Sequence, residues 1–480
     1  MAGPLTTAPS PARNEQLRKY VESHHIDHIP TNVRHGKPWQ QFAFWWGTNV
    51  NVFNLVLGGI AASYFGLTFW WSLIAVAVGT LIGALLIALH ATQGPKLGVP
   101  QTIQSRGQFG FYGAAFLFPC VIVLTVGFIA AQLVIQAQAL EELVTALTIP
   151  EWILILTIPS VVIGIFGYRW IHYVVQGTAV LIGVSLIVML IQSLVYHASL
   201  PASETSFATP HAGAFFAVIA LLVIDMLSFG PFVSDYTRYL PEDTSGKKLF
   251  WGIYGGASLA TFLSCAIGAY LTGLLPKAGL IGTASAHGAV YEVNGPWALI
   301  VMALSLVAAN TYCAYTGAFQ VLSIGNMWTR FKSESIMVRV IPYLVVMAAG
   351  VIVAFFGYVS FVPKLSNFLD VMLAVFIPWS AVNIADYFLV RHGNYDVSSF
   401  FTARGVYGSW AWRGLVAYAA GCAVEWPFMS QTYYVGPLVK HLGGADISWL
   451  VGWVVAAGVF LILVRVGGNA PAKTEPAPAA

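Results

Sequence analysis

Charge and cysteine are both scarce in this sequence. Only 9% of its 480 residues are Asp, Glu, Lys or Arg, whereas 58% are hydrophobic. A soluble domain carries roughly 25% charged residues, so the composition excludes a soluble globular protein. The four cysteines lie singly within apolar runs and form no CxxC spacing. We therefore expect neither a disulfide framework nor a metal site.

Several motifs are missing as well. The N-terminal stretch has no apolar core segment, which argues against a signal peptide. The nucleotide-binding pattern GxxxxGK[ST] is absent, which argues against ATP-driven transport. The apolar runs contain no nucleophile–base set, so an integral-membrane enzyme is disfavoured. His24, His25 and His28 are interpreted as part of a solvated tail rather than as metal ligands. We expect no cofactor and no nucleic-acid partner.

The chain does contain long apolar runs, and a run of about 20 residues is enough to cross a bilayer. We predict an all-α polytopic membrane protein with twelve transmembrane spans. Spans 1 to 12 cover approximately residues 39–64, 68–91, 112–138, 150–168, 171–196, 213–238, 249–275, 297–325, 338–360, 366–390, 411–433 and 447–466. Residues 1–36 and the Pro/Ala-rich residues 467–480 are predicted to be tails, the latter disordered.

The positive charges are distributed unevenly across these spans. Nineteen of the 22 Lys and Arg residues fall on the side of the two termini, and Lys277, Lys364 and Lys440 fall on the other side. Lys and Arg accumulate in cytoplasmic loops. The sequence therefore predicts a multi-pass protein of the cell (plasma or inner) membrane with both termini in the cytoplasm. We expect it to be a monomer.

Two spans are interrupted by residues that break helices. Span 1 carries Gly47, Asn49 and Asn51 near its middle, and span 6 carries Gly230 and Pro231. Interrupted helices at matching positions of two halves are typical of inverted-repeat transporters, where freed backbone groups coordinate ions and substrate. We predict repeats over residues 37–196 and 212–392, followed by spans 11 and 12 within 393–466. Gly47, Asn49 and Asn51 are candidate cation-coupling residues.

Three motifs carry a resemblance to a known family. They are GPKLGVPQTIQSRGQFGFYGA (residues 94–114), SDYTRYLP (234–241) and IADYFLVRHGNYD (384–396). Together with the span spacing, they resemble the nucleobase:cation symporter-1 family, which includes purine–cytosine permeases and hydantoin and allantoin transporters. The resemblance implies a LeuT-like fold of the APC superfamily, with a five-plus-five inverted repeat plus two C-terminal helices. It also implies symport of one cation and one small heterocycle by alternating access.

The resemblance further implies a substrate pocket. It assigns ring stacking to Phe128 in span 3, where relatives commonly carry Trp. Gln132 follows at i+4 on the same face, and its amide could pair with both a donor and an acceptor of a heterocycle. In span 6, Phe229 is the candidate for the other side of the ring, with Met226 as the alternative, and Ser228 could form a hydrogen bond.

Span 8 bears on the identity of the coupling ion. Asn310 matches a position that meets the substrate in relatives. Sodium-coupled relatives carry two hydroxyl residues just before it, but this chain has Ala308 and Ala309. Ser305 and Thr311 lie nearby, and a shift of one turn could restore one hydroxyl ligand. The resemblance therefore favours coupling to protons over sodium.

Asp225 lies near the middle of span 6. Carboxylates at this depth are costly and usually functional. Asp225 could exchange a proton and couple transport, or it could bind an amine of the substrate. A structural role, in which it caps N–H groups freed by the Gly230 break, stays open.

These observations predict a secondary active transporter for a nucleobase or related small heterocycle. A transporter of a small cationic amine or amino acid on the same fold is the alternative. A membrane enzyme and a passive channel or sensor are less favoured interpretations.

Overall fold

The computed structural model describes residues 27–166, 199–274, 295–327 and 336–467, with short pieces between 177 and 191. Within these ranges the regular secondary structure is helical, apart from one isolated β-bridge between Ser430 and Val435. The α-helices are α1 (Pro38–Asn49), α2 (Val52–Ser63), α3 (Phe69–Ala91), α4 (Gln93–Leu97), α5 (Gln101–Gln104), α6 (Arg106–Phe109), α7 (Leu117–Glu141), α8 (Ile149–Phe166), α9 (Ala212–Leu227), α10 (Val233–Thr237), α11 (Gly246–Leu274), α12 (Gly295–Gly325), α13 (Ile336–Gly357), α14 (Phe361–Ile384), α15 (Trp412–Glu425) and α16 (Ser448–Val466).

Within the described ranges, seven helical segments have the length and apolar composition needed to cross a bilayer. Their outward faces are apolar, because Val123, Phe356 and Val454 are all more than half exposed. Exposed apolar side chains at this density belong in lipid. The prediction of an all-α polytopic membrane protein is therefore confirmed. The number of twelve spans stays a prediction, since most of span 5 and most of both tails lie outside the described residues.

One helix end differs from its prediction. The sequence predicts that span 11 reaches residue 433, but α15 ends at Glu425 and is followed by a short 3-10 turn, Trp426–Phe428. Pro427 lies in that turn. It has no backbone N–H and its ring clashes with the preceding helical turn, so the α-helix ends before it.

The first break divides span 1 into α1 and α2. Asn51 separates the two helices in an extended conformation and forms the N-cap of α2, since its Oδ1 accepts a hydrogen bond from the Asn54 N–H at 2.9 Å. Its Nδ2 donates to the Thr48 carbonyl at 2.7 Å. The Asn51 side chain thus satisfies one backbone group on each side of the break. This agrees with the preference of Asn for helix caps over helix interiors.

The second break divides span 6. Helix α9 ends at Leu227, and a 3-10 turn, Gly230–Phe232, leads into α10. Pro231 removes one helical donor at this point. Both breaks lie where the sequence predicts them.

The long helices pack in two main groups. Helices α1, α2, α3, α9 and α11 form the first group, and α7, α8, α12 and α13 form the second, with α14 to α16 alongside. Helices α2 and α11 approach closely because Gly58 faces the backbone of Cys265 and Gly268 faces the backbone of Leu55. The two breaks face the second group, and cavities lie between the groups at their level.

Candidate functional site

A cavity with about 420 Å³ of empty volume lies between the two groups. We call it the central cavity. Both breaks and helices α7 and α12 contribute to its lining, which consists of Asn49, Asn51, Phe53, Asn54, Leu124, Thr125, Phe128, Gln132, Asp225, Ser228, Phe229, Phe232, Tyr312 and Cys313.

The central cavity brings together most residues that the sequence singled out. Seven candidates from three separate spans line it, namely Asn49, Asn51, Phe128, Gln132, Asp225, Ser228 and Phe229. Gly47, Met226 and Asn310 do not line it.

Aromatic rings form two parts of the wall. Phe128 packs against Phe53 at a ring-centroid distance of 5.4 Å. Phe229 stacks on Tyr312, with centroids 6.2 Å apart and planes inclined by 19°. Trp45 meets Phe229 edge-on at 5.2 Å. Because aromatic faces attract other flat rings, the cavity is suited to a planar molecule.

Three buried polar side chains of the lining, Asn54, Gln132 and Asp225, have an oxygen without a hydrogen-bond partner among the described residues. Gln132 is 6% exposed and Asp225 is 3% exposed. Gln132 Oε1 and Asp225 Oδ2 accept no hydrogen bond from any described residue. A buried acceptor left in this state costs about 1–3 kcal/mol. A ligand or a proton that satisfied these oxygens would recover part of that cost.

Ser228 is already engaged in a local hydrogen bond. Its hydroxyl donates to the backbone carbonyl of Asp225 at 2.6 Å. This bond satisfies a carbonyl near the end of α9, and the lone pairs of the hydroxyl remain able to accept a hydrogen bond from a ligand.

The polar groups of the first break are largely satisfied by each other. Asn49 Nδ2 donates to the Trp45 carbonyl at 2.8 Å, and its Oδ1 accepts from the Thr261 hydroxyl at 3.3 Å. Asn54 Nδ2 donates to the Asn49 carbonyl at 2.7 Å. Asn54 Oδ1 is buried without a partner among the described residues. The bond from Thr261 joins the break to α11, and the other two stabilise the break itself.

Two of the three candidates outside the central cavity have other contacts. Asn310 Nδ2 donates to Gln136 Oε1 at 2.8 Å, which joins α12 to α7. Met226 is fully buried, and its Sδ lies 3.7 Å from the Thr261 hydroxyl oxygen.

Gly47 lines a second cavity, which has about 630 Å³ of empty volume. Asn51, Phe229 and Tyr312 line both cavities. The stacked pair Phe229–Tyr312 therefore stands between them.

The second cavity contains the two positions of α12 that bear on whether sodium is the coupling ion. Ala308 and Ala309 line it opposite Gly47 and Thr48 of the first break. Methyl groups supply no ligand to a hard cation, which prefers oxygen. Thr48 donates its hydroxyl to the Phe44 carbonyl at 2.9 Å.

Sequence reasoning missed four lining residues of interest, namely Phe53, Asn54, Thr125 and Tyr312. Asn54 carried a detectable signal, since a second polar residue follows the break by three positions. Tyr312 carried none, because aromatic residues are common throughout the apolar runs.

Comparison with known proteins agrees with this architecture. Residues 28–452 match the family described as permease for cytosine/purines, uracil, thiamine, allantoin. The chain is 33% identical to YxlA of Bacillus subtilis (strain 168), provisionally named a purine-cytosine permease, over 93% of this chain and 96% of that protein. It is 24% identical to the purine-cytosine permease fcyB of Emericella nidulans, over 88% of this chain and 84% of that protein.

Two solved structures share the fold. One is Mhp1, a nucleobase-cation-symport-1 family transporter, in a closed conformation with bromovinylhydantoin bound. It matches with a TM-score of 0.73 at 19% identity, over 93% of this chain and 96% of that chain. The other is a Na⁺-coupled sialic acid symporter, with a TM-score of 0.60 at 12% identity and 92% of each chain covered. The predicted LeuT-like fold and the resemblance are confirmed. The chain is a membrane transporter rather than an enzyme, and it belongs to the family of permeases for cytosine and purines, uracil, thiamine and allantoin.

Proposed function

We propose that the chain is a secondary active symporter that takes a nucleobase or a related small heterocycle into the cell by alternating access. A cation accompanies the substrate, and a proton is favoured over sodium. The observation that carries this proposal is the central cavity, which is lined by aromatic rings and by an amide oxygen and a carboxylate oxygen that have no hydrogen-bond partner among the described residues.

The substrate class follows from the chemistry of that lining. Phe128 and the Phe229–Tyr312 pair offer ring faces to a flat molecule. Gln132 offers one acceptor and two donors, which complement the alternating donors and acceptors along a nucleobase edge. The names of the relatives, which include purine-cytosine permeases and a hydantoin permease, support the same class.

The preference for protons rests on two features. Ala308 and Ala309 supply no side-chain oxygen to the second cavity, which leaves Ser305 as the hydroxyl that a one-turn shift along α12 would offer there. Asp225 lies in the same cavity as the proposed substrate, and within the described part of the chain no cation pairs with it. A carboxylate in this setting binds a proton at low energetic cost, because the neutral form avoids burying a charge. We infer that Asp225 carries the coupling proton.

A small cationic amine or amino acid is the second candidate substrate, and Asp225 is the specific observation that favours it. A buried carboxylate with an unpartnered oxygen can bind a cationic group directly. The thiamine transporter THI72 of Saccharomyces cerevisiae is 21% identical to this chain. The Asp225→Asn variant separates the candidates, because it would abolish binding of a cation but retain binding of a neutral heterocycle.

The experiment is a thermal-shift screen followed by uptake. Purified protein is heated with nucleobases, hydantoins and cationic amines, since a ligand that binds the folded state raises its apparent stability. The best ligand is then tested in proteoliposomes under an imposed pH gradient or an imposed sodium gradient. We expect stabilisation by a flat neutral base and accumulation driven by the pH gradient. Accumulation driven by sodium alone would refute proton coupling.

We also propose that the protein is a monomer of the plasma or inner membrane with both termini in the cytoplasm. The distribution of Lys and Arg among the predicted loops supports this orientation. A reporter enzyme that is active only in the cytoplasm, fused after residue 467, tests it. Activity of the fusion is expected, and an inactive but expressed fusion would overturn the orientation.

A further inference from the structure

A third cavity lies apart from the two already described and shares no lining residue with them. We call it the arginine cavity. It has about 690 Å³ of empty volume, and its lining includes Gln108, Asp386, Arg391, Arg413, Phe460 and Val464. It forms where α14, α15 and α16 have their ends on the arginine-rich side of the protein. Neither the proposed transport cycle nor the family relationship assigns it a role.

Arg391 is held in place by a carboxylate. Its Nε donates to Asp386 Oδ1 at 3.1 Å and to Asp386 Oδ2 at 3.0 Å. Asp386 also accepts hydrogen bonds from Gln108 Nε2 at 2.9 Å and from the Tyr395 hydroxyl at 2.7 Å. The carboxylate is therefore saturated and neutralises one guanidinium only.

Among the residues that the structure describes, Arg413 has no such counter-charge. Its Nη2 donates to the Gly467 carbonyl at 2.8 Å, next to the C-terminal end of α16. Its Nε is buried and has no hydrogen-bond partner among the described residues. The described lining of the arginine cavity thus holds two guanidinium groups and one carboxylate, and within that lining the Nε donor of Arg413 is unused. An anion would satisfy both the charge and the donor.

The surroundings of the cavity indicate where that anion comes from. Phe460 and Val464 of α16 form an apolar part of its wall, and Trp412 lies at its edge with 57% of its surface exposed. Tryptophan is enriched at the membrane–water interface. A free inorganic anion gains nothing from an apolar wall, whereas a lipid places its headgroup beside the charges and its chain along the apolar side.

We propose that the arginine cavity binds the phosphate headgroup of an anionic phospholipid, with Arg413 as the principal cationic contact. The lipid comes from the leaflet on the arginine-rich side, where clusters of basic residues between helices recognise anionic headgroups. Bound there, the lipid joins the end of α16 to the start of α15.

The test uses the purified full-length protein and one lipid pair. Phosphatidylglycerol and phosphatidylcholine are added to the protein in detergent, and the retained lipids are counted by native mass spectrometry while the melting temperature is followed. We expect one tightly retained phosphatidylglycerol and a higher melting temperature, with no such effect from phosphatidylcholine. Inorganic phosphate is the third arm and is expected to have no effect, so equal stabilisation by phosphate would overturn a lipid site.

Variants then locate the site. Arg413→Gln is expected to weaken phosphatidylglycerol binding about fivefold, the contribution of one basic residue at a lipid surface. Arg404→Gln is the control, because Arg404 is exposed and does not line the cavity. Wild-type affinity in Arg413→Gln, or an equal loss in Arg404→Gln, would overturn the assignment. If Arg413→Gln does not fold, Arg413→Lys keeps the charge but loses the planar fork, and unchanged binding in that variant also counts against the assigned geometry.

Discussion

Replacement of Gln132 by leucine should stabilise the ligand-free protein and weaken substrate binding at the same time. Gln132 Oε1 is buried and unpartnered among the described residues. Because an unsatisfied buried acceptor costs about 1–3 kcal/mol, an apolar side chain of similar size should raise the free energy of unfolding by about 1 kcal/mol. Loss of two hydrogen bonds to the substrate should weaken binding by about 5- to 150-fold.

The same helix supplies a matched control. Gln136 lies one turn further along α7, and both ends of its amide are used. It donates to the Ala303 carbonyl at 2.6 Å and accepts from Asn310 Nδ2 at 2.8 Å. Gln136→Leu should therefore destabilise the protein by about 1–3 kcal/mol, because it leaves the Asn310 amide unpaired. It should change the affinity of the remaining folded protein little.

Both variants are measured by thermal unfolding in detergent, without and with the best ligand of the screen. Opposite signs of the change in melting temperature for the two ligand-free variants are the expected result. The reasoning would be refuted if Gln132→Leu lowered the melting temperature as much as Gln136→Leu. It would also fail if Gln132→Leu bound the ligand with wild-type affinity.

Two further substitutions test the aromatic wall and the helix packing. Phe229→Ala removes the ring that stacks on Tyr312. It should weaken binding of a flat substrate about tenfold, because both direct stacking on the substrate and the partner ring of Tyr312 are lost. Competition of uptake by unlabelled base measures the affinity, and unchanged competition would contradict the prediction. Gly268→Ala places a methyl group against the backbone of Leu55 and should cost about 1–3 kcal/mol of stability. Gly255→Ala meets only ordinary contacts, so a thermal shift as large as that of Gly268→Ala would count against the packing argument.

The helix breaks could be predicted from the sequence because their causes are local. Asn51 caps α2 through its own side chain, and Pro231 removes a donor wherever it stands. Asp225 was recognisable for a similar reason, since a carboxylate within an apolar run is unusual in any packing arrangement. The selection of Phe128 depended on the family resemblance alone, whereas Gln132 also carries a local signal, because an amide in the middle of an apolar span needs a partner.

The rotation of each helix about its axis could not be predicted in this way. Asn310 and Tyr312 are two residues apart on α12, which separates their directions by about 200°. The structure turns Tyr312 into the central cavity and directs Asn310 to Gln136. Because α12 is apolar on most sides, its sequence does not specify the face that meets the cavity. That choice follows from packing against α7.

The central claim is that Asp225 carries the coupling proton beside the substrate. It is tested most directly by uptake into proteoliposomes under an acid-outside pH gradient without sodium, with wild type compared with Asp225→Asn. The account predicts that the wild type accumulates substrate and that its affinity falls about tenfold per pH unit once the carboxylate loses its proton. It predicts that Asp225→Asn folds and binds a neutral base at every pH but does not accumulate it. Undiminished accumulation by Asp225→Asn, with wild-type pH dependence, would contradict the claim.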